Sequence, residues 1–126
     1  MRRKVDKLLQ ECRENLDLLD QKDMPHISEI FEFDWTEEQI ASAVQQGILS
    51  EEQCIQISNL LKALNKLPQQ ERKLFFLRNF QREKITVQQI AQNFSISHRH
   101  YHRIKGEALD ELARLLRLEK QLVFSK

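Results

Sequence analysis

The sequence predicts an all-α, multi-helix protein that ends in a helix-turn-helix. Three observations lead to this prediction. Only 2 of the 126 residues are Gly and only 2 are Pro, so the chain has few residues suited to tight turns and hairpins. Apolar residues recur at steps of three and four over long stretches, which is the spacing of one helix face. Three segments that begin with Thr or Ser and place Gln three residues later are typical of helix starts.

The first helix is predicted over roughly residues 3–20, where apolar residues from Val5 to Leu19 form a stripe between charged ones. Met24-Pro25 ends this helix. Residues 26–35 mix aromatic and acidic side chains without a helical period, so we expect a packed connector there. The sequence leaves open whether the apolar stripe packs within the chain or pairs with a second copy in a homodimer.

Two helix starts follow at Thr36 and Ser50, each the first residue of a capping box. In this motif the hydroxyl accepts a hydrogen bond from a backbone N–H three residues later, and the Gln side chain returns one. We expect the first of these helices to stop at Gly47, which tolerates the left-handed backbone of a helix end. The second should run over about residues 51–65 and close at Leu67-Pro68.

The C-terminal part of the chain contains three further predicted helices. Pro68 is favourable at a helix start and opens a helix over residues 69–80. Thr86 begins a third capping box and a short helix to about residue 93. Ser97 can cap a longer helix over residues 98–118. A short helix, a brief turn and a longer helix form the helix-turn-helix arrangement, whose second helix enters the major groove of DNA.

Charge divides the chain before Leu67. Residues 1–66 carry 8 basic and 13 acidic side chains, net −5, and residues 67–126 carry 12 basic and 6 acidic ones, net +6. Such asymmetry is typical of a protein with a nucleic-acid-facing part, although ordinary solvated helices also produce it. We predict an acidic helical region over residues 1–50 and a helix-turn-helix domain over residues 51–126, with the boundary at the helix start of Ser50.

The last helix should present a cationic face. At 100° per residue, Tyr101 and Ile104 point one way while Arg99 and Arg103 point the other. An Arg side chain can bind both acceptors on a guanine edge, and Gly106 on the same face would let the backbone approach DNA closely. The candidate DNA-contacting residues are His98, Arg99, His100, His102, Arg103, Lys105 and Gly106. The candidate phosphate contacts are Arg82, Lys84 and Thr86.

Two other clusters have competing interpretations. The aromatic residues Phe31, Phe33 and Trp35 could dock a partner protein or seal helices together within the chain. His98 and His102 lie four residues apart, which is suitable spacing for two metal ligands. Exposed histidines on a DNA-facing helix explain this pair without metal, so we predict neither a metal site nor a cofactor.

Several functional classes are excluded or disfavoured by the sequence. It contains no Gly-rich phosphate loop, HExxH or GxSxG motif, so we do not predict an enzyme. It has no apolar run of about 18 residues, and Met1 is followed by charged residues rather than a signal segment. Cys12 and Cys54 lack any paired spacing. We therefore expect a cytoplasmic protein without a membrane span.

The C-terminal part also resembles a known family. The residues that carry the resemblance are Leu67-Pro68, Leu77-Arg78, Ile85-Thr86, Ile90-Ala91, Ile96-Ser97, Tyr101, Ala108-Leu109 and Leu112. The segment that contains them is similar to region four of primary-type bacterial sigma factors, which binds the −35 promoter element. The resemblance implies that the front helices pack on the flap of RNA polymerase. It also implies promoter contacts by His98, Arg99, His102 and Arg103.

The chain departs from the family pattern at three positions. Arg99 and Arg103 stand where the family has Glu and Gln, which leaves open a target other than the −35 sequence. Ser95 stands where the family has a turn glycine. Nothing before Leu60 resembles the region that melts promoter DNA, so a complete sigma factor is not predicted.

We expect a small bacterial or phage transcription regulator, comparable to phage late-gene activators and sigma-like accessory subunits. It would bind double-stranded promoter DNA and contact RNA polymerase. The alternative is an adaptor with a region-four-like fold that binds a polymerase or regulator protein but no DNA.

Overall fold

The computed structural model describes the backbone of residues 1–124 and the side chains of residues 1–117. A 3-10 turn at Gln21–Asp23 follows the first helix, and the fourth helix continues as a π-helical segment at Phe76–Phe80. The predicted all-α class with a helix-turn-helix is confirmed. The helices and strands, in chain order, are α1 (Arg2–Leu16), β1 (His26–Ile27), β2 (Phe33–Asp34), α2 (Glu37–Gln45), α3 (Glu51–Asn65), α4 (Gln69–Phe75), α5 (Val87–Asn93) and α6 (His98–Phe124).

The three predicted capping boxes form at the starts of α2, α3 and α5. The hydroxyl oxygens of Thr36, Ser50 and Thr86 accept hydrogen bonds from backbone N–H groups at 3.2, 3.1 and 3.1 Å. Gly47 follows the end of α2 with a φ of 71°, the left-handed backbone that glycine adopts without steric cost. Local chemistry therefore places these helix ends.

Helix α1 is shorter than predicted and belongs to the core. Its stripe of Val5, Leu9, Cys12 and Leu16 is buried and packs against α6 and the π-helical segment. The helix ends at Leu16 instead of near residue 20, because the chain then turns so that Leu19 is buried. Burial raises the pKa of the Cys12 thiol to about 12, so this thiol remains protonated at neutral pH.

The connector contains a short hairpin that the sequence did not predict. His26 pairs with Asp34, and Ile27 with Phe33, in an antiparallel arrangement. The Asn65 side chain accepts from the Phe33 N–H and donates to its carbonyl, both at 2.8 Å. Two-residue strands give no alternating pattern that a sequence could reveal. The hairpin is instead held by side chains from elsewhere in the chain.

The apolar core draws on both halves of the chain. Helix α6 lies against α1, α3, α4 and α5, and Leu9, Leu64 and Leu112 are fully buried in one cluster. The predicted division into residues 1–50 and 51–126 stays a prediction, and residues 125 and 126 lie outside the described residues. Within residues 1–124, no helix combines the length and apolar character needed to cross a membrane.

Candidate nucleic-acid interface

The turn between α5 and α6 sets the direction of the second helix. Ser95 adopts a φ of 56°, and its N–H donates to the Gln92 carbonyl at 3.0 Å. The hydroxyl of Ser97 then accepts from the His100 N–H at 3.0 Å, as predicted for a helix cap. A left-handed non-glycine residue is strained, so the fold tolerates at Ser95 the backbone for which glycine is better suited.

The first two turns of α6 have an outer and an inner face. His98, Arg99, His102 and Arg103 are exposed, and Tyr101 is fully buried. Among the described residues, neither Arg99 nor Arg103 forms an ion pair. Both guanidinium groups therefore remain available to an external anion, in the orientation that the helical period predicts.

The exposed part of α6 also holds the histidine pair. The rings of His98 and His102 meet edge to face with centroids 5.2 Å apart. Partial burial lowers the pKa of His102 below its usual value, and the nearby positive charges of Lys105, His98 and Arg78 lower it further. Within the described part of the chain, no group of three or more His, Cys, Asp or Glu residues could hold a metal ion.

Lys105 and Gly106 do not share this exposure. The Lys105 ammonium lies 5.8 Å from the centroid of the Tyr101 ring, and burial followed by the charge of Arg78 lowers its pKa. Gly106 is buried, and a Cβ atom built there would lie 2.5 Å from Nη1 of Arg2. The expectation of bare, open backbone at Gly106 is wrong, because Arg2 covers it. A DNA contact by either residue stays a prediction.

Ionic and polar contacts fasten α1 beside this surface. Arg2 binds the Asp110 carboxylate with Nε and Nη2 at 2.9 and 2.8 Å. Arg78 binds both carboxylate oxygens of Asp6 at 2.6 and 3.0 Å. These contacts define the α1 clamp: the pairs Arg2–Asp110 and Asp6–Arg78, together with the bond that Arg13 donates to the Asn79 carbonyl at 2.8 Å.

Sequence reasoning did not assign these clamp residues to the site. The only available signal was that Arg2, Asp6 and Arg13 share one flank of the predicted α1 stripe at helical spacing. Their partners lie more than 60 positions away in the chain, so no local pattern could identify them. Through the clamp, α1 becomes part of the surface that surrounds the exposed face of α6.

Tyr101 lies on the buried face of α6, next to Arg78 of the α1 clamp. Its hydroxyl oxygen is buried and has no hydrogen-bond partner among the described residues. Burial raises the pKa of Tyr101, while the neighbouring Arg78 charge acts in the opposite direction. The side chain thus anchors α6 by packing, which agrees with the inward orientation predicted from the sequence.

The candidate phosphate contacts lie at the entry to α5. Arg82, Lys84 and Thr86 are all exposed. The Thr86 hydroxyl already accepts the capping bond of α5, but its second lone pair remains usable. These three residues therefore present two cations and one hydroxyl beside the start of the first helix of the motif. Their contact with phosphate stays a prediction.

The aromatic residues of the connector are used within the chain. The Phe31 ring packs on Phe76 with centroids 5.3 Å apart, and the Phe33 ring packs on Phe80 at 5.0 Å. The indole N–H of Trp35 donates to the Asp23 carbonyl at 2.8 Å. These contacts favour the sealing role over the docking role that the sequence left open.

Arg72 provides a further internal bond to the connector. Its side chain is almost fully buried and donates to the carbonyls of Leu67 and Ile30. The connector is thereby tied to the start of α4 by charged hydrogen bonds, which are stronger than neutral ones. Arg72 is therefore a buried structural residue of α4 and not part of the exposed face of α6.

This fold and exposed cationic face define a helix-turn-helix protein of the nucleic-acid-binding type. Residues 63–114 match the family described as sigma-70, region 4, so the resemblance predicted from the sequence is confirmed. This is a family of DNA-binding domains in transcription regulation and not a family of enzymes. No curated protein and no solved structure matches the chain.

Proposed function

We propose that this protein regulates transcription by binding promoter DNA with the first two turns of α6. The observation that carries the proposal is the exposed pair Arg99 and Arg103, which have no ion-pair partner among the described residues. They stand one turn apart on a helix whose start is fixed by Ser97. This arrangement suits insertion into the major groove, where arginine reads guanine by two parallel hydrogen bonds.

The neighbouring cations supply the binding that does not depend on sequence. In a helix-turn-helix the first helix crosses the DNA backbone, and Arg82, Lys84 and Thr86 lie at the start of the corresponding helix, α5. Phosphate contacts of this kind orient a protein on the duplex, while base contacts specify the sequence. We assign Arg99 and Arg103 to the base contacts that specify the sequence.

The proposal includes contact with RNA polymerase in the cytoplasm. Its support is the family of residues 63–114 and the acidic character of the first half of the chain. A groove of about 680 Å³ runs between α2 and α3, and both polar residues and apolar ones such as Ile40, Val44 and Ile55 line it. The Ile55 side chain is 60% exposed, which suits a protein contact.

The proposal is tested by selecting bound duplexes from a random-sequence pool and measuring their affinity. Wild-type protein should enrich a defined sequence, and Arg99→Ala and Arg103→Ala should each cost about 1–3 kcal/mol on that sequence. Lys62→Ala removes the same charge from α3, where Lys62 lines the α2–α3 groove and is not part of α6, and serves as the matched control for DNA binding. Enrichment of no sequence, or equal losses in all three variants, would refute base reading by α6.

A second candidate function is an adaptor that binds protein and no DNA. It is favoured by the near-neutral net charge of +1 and by the exposed Ile55 in the α2–α3 groove. Retention of Ile55→Asp and of Arg99→Ala/Arg103→Ala on immobilised RNA polymerase separates the two functions. Retention that depends on Ile55 alone, without any DNA binding by wild type, would establish the adaptor.

A further inference from the structure

We infer that Arg2 is an additional DNA-contacting residue, which Asp110 holds in position to bind a backbone phosphate at the edge of the groove. The inference rests on the proposed function and extends it to α1, outside the segment that matches the sigma family. Two observations carry it: the orientation of the Arg2 guanidinium, and its position on the face of α6 that bears Arg99 and Arg103.

Asp110 fixes the orientation of the Arg2 guanidinium by binding one edge of this planar group. Nε and Nη2 both donate to Asp110, so the carboxylate occupies these two nitrogens. The third nitrogen, Nη1, lies over Gly106 and has no partner among the described residues. The side chain is 57% exposed. Arg2 therefore offers unused N–H donors in a set direction, which lowers the entropy lost when a phosphate binds.

The position of Arg2 follows from the period of α6. Arg99, Gly106 and Asp110 lie within about 40° of one another around the helix axis, so Arg2 covers the same face that presents Arg99. Gly106 follows Arg99 by about 10 Å along the axis. The major groove is about 12 Å wide. If the first two turns of α6 fill the groove, the phosphates that border it reach the level of Gly106 and Arg2.

The same geometry gives Gly106 a role within the protein. A methyl group at this position would collide with Nη1 of Arg2. Absence of a side chain at Gly106 therefore lets the guanidinium lie close to the helix backbone while bound to Asp110. The sequence predicted that DNA approaches the backbone closely at Gly106; in the structure the Arg2 guanidinium occupies that space, and a DNA contact by Gly106 itself stays a prediction.

The decisive comparison uses two exposed ion pairs that involve α6, one joining it to α1 and one within it. The variant Arg2→Ala/Asp110→Ala removes one pair, and Glu111→Ala/Arg114→Ala removes another that joins neighbouring turns of α6. Neither variant changes the net charge. Affinity for a labelled random-sequence duplex of about 30 base pairs is measured between roughly 0.05 and 0.2 M salt, because phosphate contacts make binding salt-dependent.

We expect the Arg2 pair variant to bind roughly five- to tenfold more weakly at about 0.1 M salt. Its plot of log affinity against log salt should be shallower by about one, the amount expected for one lost phosphate contact. The Glu111 pair variant should match wild type. Arg2→Lys keeps the charge but loses the fork, so it should retain most of the slope and lose part of the affinity.

Each other outcome has a defined meaning. Equal behaviour of the two pair variants would overturn the inference and leave a purely structural ion pair at Arg2. Tighter binding by the Arg2 pair variant would overturn it as well, because Arg2 would then obstruct the DNA.

Loss of binding in Arg99→Ala/Arg103→Ala alone would retain the proposed function without Arg2. Absence of any wild-type binding would overturn both. Unchanged melting temperatures confirm that every variant is folded.

Discussion

The two ends of the described part of α6 use the same helix in different ways. From His98 to Arg103 the outer face is open, and its arginines have no ion-pair partner among the described residues. At Gly106 that face is covered by the Arg2 side chain of α1, and Asp110, one turn further along, is paired with the same residue. Both ends bury their inner face, through Tyr101 and Leu112 respectively.

This difference shows that the extent of the recognition surface depends on the element that crosses it. At Gly106 the α1 clamp adds the Arg2 side chain to this face of α6. A surface drawn from the sequence of α6 alone therefore leaves out the residue that α1 contributes.

The largest effect is expected from the buried C-terminal part of α6. Leu112 is fully buried, so Leu112→Ala should lower the free energy of unfolding by about 2–5 kcal/mol through lost contacts and a residual cavity. Arg99→Ala at the open end should change it by less than about 0.5 kcal/mol. Urea denaturation of both variants measures this difference, and similar losses would contradict the contrast between the two ends.

The α1 clamp should give the next largest effect. Asp6 and Arg78 form a bidentate pair, and the Arg78 side chain is only 22% exposed. We expect a coupling free energy of about 1–2 kcal/mol between Asp6→Ala and Arg78→Ala in a double-mutant cycle. The pair Arg13 and Asp17 joins α1 only to its own C-cap residue and should show a smaller coupling. Additive effects at Asp6 and Arg78 would contradict the clamp.

The turn before α6 should give a smaller effect, of opposite sign. Ser95 has left-handed backbone, so Ser95→Gly should raise the free energy of unfolding by about 0.5–1 kcal/mol, after the entropy cost of glycine is subtracted. Ser97→Ala removes the cap of α6 and should lower it by about 1 kcal/mol. Thermal melting of the two variants checks both signs, and destabilisation by Ser95→Gly would contradict the strain argument.

The smallest effect is expected from pH. The pKa of His102 is lowered by partial desolvation and by the charges of Lys105, His98 and Arg78, so in the free protein this side chain gains a proton less readily than an ordinary histidine. A nearby phosphate favours the protonated form, so DNA binding takes up a proton and strengthens as pH falls. We expect a several-fold gain from pH near 7.5 to pH near 5.5.

Anisotropy titrations with wild type and His102→Asn measure this pH dependence. The variant should keep less of the gain, because it lacks the imidazole that gains a proton when phosphate binds. A constant wild-type affinity across these buffers would show that the imidazoles do not face phosphate.

Local chemistry accounts for the parts of the fold that the sequence predicted well. The starts of α2, α3 and α5 depend on side chains within four residues of one another. The inward orientation of Tyr101 and the exposure of Arg99 follow from the helical period alone. These features required no knowledge of distant partners.

The features that the sequence did not predict depend on distant partners. The hairpin of β1 and β2 is held by Asn65, and the cover over Gly106 is Arg2 from the opposite end of the chain. Helix α1 ends early because burial of Leu19 outweighs continuation of the helix. Tertiary contacts decided each of these cases, and a single sequence contains no record of which distant residues meet.

The π-helical turn after α4 also determines which side chain can reach α1. The Gln81 N–H donates to the Phe76 carbonyl five residues earlier, at 2.7 Å, so this turn holds one residue more than a regular α-helical turn. Deletion of one residue of this segment ahead of Arg78 would rotate Arg78 by about 100° about the helix axis and place its guanidinium out of phase with Asp6. The extra residue of the π-helical turn thus sets the rotational position of Arg78 around the helix axis. Without that residue, a different basic side chain would have to face Asp6 for α1 to be held by an ion pair.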